Sequence, residues 1–144
     1  MSPIQPLYGP DFVKFVLPLI QKAERSIEVL TYKWKWYPDD PEHDIQQINM
    51  SIVAAITRNV KVRAFIQDKV MANFLKSHGI QARVADGMGT LHAKFLIVDG
   101  KALVLGSHNM THRAMGYNIE TSLLLEDPDI VNHHLTIFNS LYGL

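Results

Sequence analysis

His92, Lys94, Ser107 and Asn109 lie close together in the chain and are all residue types that handle phosphate. A lysine and an asparagine can hold non-bridging phosphate oxygens, the first by charge and the second by hydrogen bonding. A neutral imidazole between them can attack phosphorus and divide one difficult displacement into two easier ones. Glu120 is a candidate to accept a hydrogen bond from the other ring nitrogen, fixing the tautomer and stabilising the positive charge that develops. The positive charge comes from Lys94, so this chemistry requires no metal and no other cofactor. A single His or Lys on a strand is more often just solvated. Four such groups converging is what points to chemistry.

Their convergence depends on one hairpin. The run from His92 to Ser107, HAKFLIVDGKALVLGS, reads as two apolar strands joined by Asp99-Gly100, a strong hairpin signal. With a two-residue turn, Val98 faces Lys101, Lys94 lies opposite Leu105, and His92 lies opposite Ser107. Side chains alternate along a strand, so His92 and Lys94 share a face. Ser107 and Asn109 join that face if the extended run continues past Gly106, while Leu96, Val98 and Leu103 continue it as apolar packing. Asp99 falls on the opposite face and reads as a turn residue with a structural role. Gly106 reads as a backbone necessity, permitting a bend or a close approach.

The other elements must support this hairpin. Asp11 is expected to cap a helix to about Arg25, with Pro18 inside it as an anomaly. Ser26–Tyr32 alternates like a strand, YPDDPEHD is a loop, and Asp44 is expected to cap a helix to about Asn59. Residues Val60–Ile66 form a strand, Asp68–Ser77 a short helix ended by Gly79, and Ile80–Val84 a further strand. Glu120–Leu125 and Pro128–Tyr142 add a last strand and an amphipathic helix. The order predicts an α/β fold, a mixed sheet with helices on both faces. The 144 residues suit one domain over 1–144. Absence of cysteine excludes a disulfide scaffold, thiolate zinc and a Cys nucleophile. The N-terminus has no basic segment followed by an apolar one, so a cytoplasmic protein is the expectation. The 14 basic residues balance the 14 acidic ones, which excludes a strongly basic nucleic-acid binder but not a local patch.

Tyr32-Lys33-Trp34-Lys35-Trp36-Tyr37 interleaves cations and aromatics after a strand. Lys33, Trp34, Lys35 and Trp36 suit a single-stranded nucleic acid, by stacking bases and following phosphates. They equally suit a membrane interface, or the aromatics pack in the core or a dimer contact. Arg58, Lys61, Arg63, Arg83 and Arg113 read as scattered surface charge. His108 and His112 are spaced for one helical face, and His133 and His134 are adjacent. Neither pair has a third ligand at a motif spacing, so no metal site is expected. His108, between two site residues, is a candidate substrate contact.

His92-Ala93-Lys94, then Asp99, then Gly106-Ser107-His108-Asn109-Met110-Thr111, resembles the HKD signature of the phospholipase D superfamily. Asn118-Ile119-Glu120 resembles that family's continuation after the motif. The resemblance implies that His92 is the nucleophile forming a phosphohistidine, that Lys94 and Asn109 bind phosphate, that Ser107 supports them and that Glu120 orients His92. It also implies a phospholipase D-like fold. The family reaction uses two histidines and one motif is present, so a homodimer sharing one active site across its two-fold axis is expected. Small single-motif members resemble the nuclease branch. DNA or RNA backbone cleavage is therefore the first expectation, with a phospholipid phosphodiesterase or a non-catalytic nucleic-acid-binding module as alternatives.

Overall fold

A computed structural model describes residues 3–143. The elements are β1 (Gln5–Tyr8), α1 (Asp11–Gln21), β2 (Ser26–Thr31), α2 (Asp44–Thr57), β3 (Lys61–Ile66), α3 (Lys69–Ser77), β4 (Gln81–Val84), β5 (Phe95–Val98), β6 (Ala102–Gly106), β7 (Thr121–Leu125) and α4 (Pro128–Tyr142). A short π-helical turn, Arg113–Tyr117, precedes β7. The strands form one seven-stranded sheet in the order β1-β7-β6-β5-β2-β3-β4. β2, β3 and β4 are parallel, whereas β1, β7, β6 and β5 run antiparallel to their neighbours.

Alternation along the central strands sorts the core into two layers. Val29, Val62, Ala64, Ile66, Leu96, Val98 and Val104 meet the apolar stripes of α1, α2 and α3, including Phe12, Val16, Ile20, Ile48, Ile52 and Leu75. On the other face Leu30, Phe65, Phe95, Ile97, Leu103 and Leu125 meet Val131 and Phe138 of α4. Each fully buried side chain of this kind contributes about 1.5–3 kcal/mol relative to exposure. The mixed sheet with helices on both faces is as expected.

Several boundaries differ from expectation. Pro10 occupies the N-cap of α1 without a side-chain hydrogen bond, and Asp11 is already helical, accepting from the Tyr8 N–H at 3.3 Å. α1 ends at Gln21, short of Arg25. His43 caps α2 in place of Asp44, its ring accepting from the Ile45 N–H. β1 and the π-helical turn were not anticipated. β1 is short and contains Pro6, which suits an edge strand and obscures the strand signal.

The hairpin differs most. Val98 pairs with Ala102, Ile97 with Leu103, Leu96 with Val104 and Phe95 with Leu105. The turn therefore holds three residues, Asp99, Gly100 and Lys101, with left-handed φ of 56° at Asp99 and 64° at Gly100. The expected pairs Val98–Lys101 and Lys94–Leu105 do not form, and a one-residue slip exchanges faces. Leu103 thus sits on the α4 face, and Val104 replaces it beside Leu96 and Val98.

Asp99 stabilises the turn from inside. Its Oδ1 accepts the N–H groups of Arg25 at 2.7 Å and of Glu24 and Ser26 at 3.1 Å each. The hairpin is thereby pinned to the α1–β2 connection. Burial raises the Asp99 carboxyl, but the donations from Arg25, Ser26 and Glu24 and the Arg25 charge outweigh it and hold the pKa below its ordinary value. The structural reading of Asp99 agrees with this geometry.

Candidate active site

Past Gly106 the chain leaves β6 and crosses the open end of the sheet. Gly106 donates its N–H to Lys94 O at 3.2 Å, Ser107 donates to Thr121 O at 3.0 Å, and Met110 donates to Lys33 O at 3.0 Å. The crossing ends in a parallel bridge between Trp34 and Met110. A side chain at Gly106 would overlap Cα and Oγ of Ser122. Glycine is required here by the approach of β7 to β6.

This path brings residues distant in sequence around one cleft of about 360 Å³, lined by His92, Lys94 and Asn109 together with Tyr32, Lys33, Lys35, Tyr37, Thr90, Thr111, Arg113 and Asn118. His92 and Lys94 immediately precede β5 and are not themselves in a strand. Asn109 is oriented by its oxygen, which accepts from the Lys33 N–H at 3.0 Å and from the Thr31 hydroxyl at 3.2 Å. Its amide nitrogen has no partner among the described residues and can donate into the cleft. Lys94 Nζ donates to the His92 backbone carbonyl at 2.6 Å, which folds the lysine side chain back over its own segment. Partial burial pushes the Lys94 ammonium below its ordinary pKa, and the charge of Glu120 offsets part of that.

Ser107 and Glu120 form the support beneath. Ser107 Oγ donates to Glu120 Oε1 at 2.6 Å and accepts from the Thr121 N–H at 3.0 Å, and Asn118 Nδ2 donates to Glu120 Oε2 at 3.3 Å. Within the chain Glu120 thus engages Ser107 and Asn118 and not the His92 ring. The His92 side chain is exposed and makes no hydrogen bond among the described residues.

Three of the expected substrate contacts lie elsewhere. Trp34 is buried, and its indole N–H donates to Asn49 Oδ1 at 2.7 Å. Trp36 is half-buried, packing against Phe74 at 5.3 Å and His78 at 4.5 Å between ring centroids. Period-two alternation turns the tryptophans toward the helices and presents Lys33 and Lys35 to the cleft. His108 is also buried. Its Nε2–H donates to Gly9 O at 3.0 Å, its Nδ1 accepts from the Ser122 hydroxyl at 2.7 Å, and its ring stacks on Phe12 at 4.8 Å. Burial holds its pKa below the usual histidine value, against opposing contributions from Gly9 and Glu120. It is a core histidine.

Of the cations read as scattered, Arg58 binds the carbonyls of Ile20 and Ala23, Arg63 pairs with buried Glu28 at 3.2 Å, and Arg83 binds Tyr142 O. Arg113 alone of that group lines the cleft, its guanidinium over the Tyr117 ring at 4.4 Å. Its position just after the motif was the available signal. Tyr32 and Tyr37, flanking the lysines in sequence, were visible in the same way.

A family model described as cardiolipin synthase, PLD-like domain, matches residues 16–142. The chain belongs to the phospholipase D-like family. The mitochondrial cardiolipin hydrolase of Canis lupus familiaris is 33% identical over 141 residues, covering 94% of this chain and 52% of that protein. Phospholipase D of Rickettsia prowazekii is 30% identical over 128 residues, covering 85% of this chain and 58% of that protein. The chain thus spans little more than half the length of these relatives. Among solved structures, the phospholipase D family member Nuc from Salmonella typhimurium superposes with a TM-score of 0.82 at 23% identity, covering 99% of this chain and 95% of that one. NucT from Helicobacter pylori gives 0.77 at 17% identity, covering 99% and 97%. These two likenesses establish a phospholipase D-like fold over nearly the whole chain. No helix among the described residues is long and apolar enough to cross a membrane.

Proposed function

We propose that this chain is a metal-independent phosphodiesterase, an endonuclease cleaving a DNA or RNA backbone through a phosphohistidine on His92. The observation that carries this reading is the gathering of Lys33, Lys35, Lys94 and Arg113 with His92 and Asn109 around one cleft in a protein of zero net charge. One scissile phosphate needs Lys94 and Asn109. The additional cations suit the neighbouring phosphates of a polymer, and Tyr32 and Tyr37 offer faces on which bases can stack.

An imidazole nitrogen of His92 attacks phosphorus while Lys94 and the Asn109 amide hold the non-bridging oxygens. The P–O bond to the leaving strand breaks, and the leaving oxygen takes a proton from the partner's His92, in a homodimer that shares the cleft. Water then attacks the phosphohistidine, giving its proton to that same partner histidine, and the P–N bond breaks to free His92. The exposed, unbonded ring of His92 leaves room for the second histidine.

A lipid phosphodiester is the second reading. The names of the relatives above favour it, as do Tyr117 and Ile119, 73% and 87% exposed on either side of the cleft residue Asn118. Incubation with single-stranded DNA, duplex DNA, RNA and cardiolipin vesicles in excess EDTA separates the two. Strand cleavage without headgroup release is expected. The reverse result establishes the lipid reading, and loss of all activity in EDTA removes the mechanism. His92→Ala is expected to lower turnover by about 10⁴-fold or more, as for other covalent nucleophiles.

A further inference from the structure

A second cluster of chemically capable side chains lies beside the cleft without lining it. His43 and Asp44 stand at the start of α2, and His112 stands just before the π-helical turn. One ligand atom from each lies within 4.8 Å of the others. Asp44 Oδ1 is 2.9 Å from His43 Nδ1 and 3.8 Å from His112 Nδ1. The His43 ring is stacked on Tyr37 at 4.3 Å and meets the His112 ring at 4.1 Å. Its side chain is only 10% exposed, and its Nε2 is buried with no hydrogen-bond partner. Nδ1, the ring nitrogen 2.9 Å from Asp44 Oδ1, is the one placed to share an ion with that carboxylate.

We propose that His43, Asp44 and His112 form a divalent-metal site best matched to zinc. Two imidazoles and a carboxylate are a zinc donor set that leaves one coordination position open. Zinc bonds of about 2.0–2.2 Å require the three groups to draw together slightly. The His112 side chain, 59% exposed, is free to make that movement. The α2 N-terminus presents the positive end of its dipole, and the Asp44 carboxylate offsets it. None of the three ligands lines the cleft, whereas Thr111 and Arg113 on either side of His112 do. The ion therefore ties the start of α2 to the cleft wall and takes no part in phosphoryl transfer.

Zinc chloride titrated calorimetrically into the full chain tests the site, together with thermal melts with and without one equivalent of zinc. One ion per chain, with a higher Tm on loading, is expected. Affinity should fall by about tenfold or more in Asp44→Asn and in His112→Ala, two accessible positions where folding should survive, and stay unchanged in His133→Ala. No stoichiometric binding by the unaltered chain, or binding retained in both variants, overturns the site. Calorimetry and melting read the ion with no substrate present, and cleavage by the unaltered chain without chelator reads the phosphodiesterase, so each idea can fail without the other.

Discussion

On the proposed mechanism Lys94 must stay charged to hold a phosphate, yet its partial burial works against the charge and Glu120 only partly offsets this. A lysine loses activity as pH rises through its pKa. The alkaline limb of kcat/KM should therefore fall below the ordinary lysine value of about 10.4. Removing the offset with Glu120→Gln should move that limb lower still, and a limb at or above the ordinary value would remove Lys94 as the group responsible. His108 gives a stability prediction of the same kind. Its folded pKa is depressed, so just below about pH 6.5 the unfolded chain binds more protons than the folded one. Its contribution is complete above that pH and is lost as pH falls toward the folded value. Urea unfolding between pH 5 and 8 should show this loss in the unaltered chain and less of it in His108→Gln.

The hairpin β5–β6 owes its position to Asp99 and its closeness to β7 to Gly106. Asp99→Ala, losing charge-assisted donations from three backbone N–H groups, should cost about 2 kcal/mol in chemical denaturation. Gly106→Ala should cost about 1–3 kcal/mol by overpacking against Ser122. Trp34→Ala should cost about 3–5 kcal/mol as a core truncation, whereas Lys33→Ala should leave stability nearly unchanged and raise KM. Equal effects of the last two on stability would contradict their opposite orientations. Much of this was legible in the sequence. Strand alternation put His92 and Lys94 together and, with the extended run continued past Gly106, added Ser107 and Asn109. The route by which Asn109 arrives was not legible, because it depends on a three-residue turn and on a crossing held by Lys33, Thr31 and Met110. Nor was the inward turn of Trp34 and His108. Local polarity marks them as candidates, but their partners Asn49, Gly9 and Ser122 are distant in the chain.

At the scale of the whole molecule, zero net charge coexists with a cationic cleft because Lys33, Lys35, Lys94 and Arg113 gather there, while Arg25, Arg58, Arg63 and Arg83 serve carbonyls, a carboxylate and ring faces elsewhere. A dimer sharing that cleft should sediment near twice the 16.3 kDa chain mass, and activity should track the dimer on dilution. Mixing the unaltered chain with excess His92→Ala, followed by subunit exchange, should lower specific activity more than simple dilution does. An active monomer would contradict the shared site. The sheet also has a consequence in time. Its parallel half and its antiparallel half meet where β2 pairs with β5, through partners such as Leu30 and Phe95 that are far apart in the chain. Lys33 and Thr31 lie on one side of that seam and His92 and Lys94 on the other. Contacts between such distant residues close slowly because of the loop entropy they must overcome. The cleft should therefore be among the last features a nascent chain acquires, and phosphate-binding capacity should appear after most helical signal has already formed.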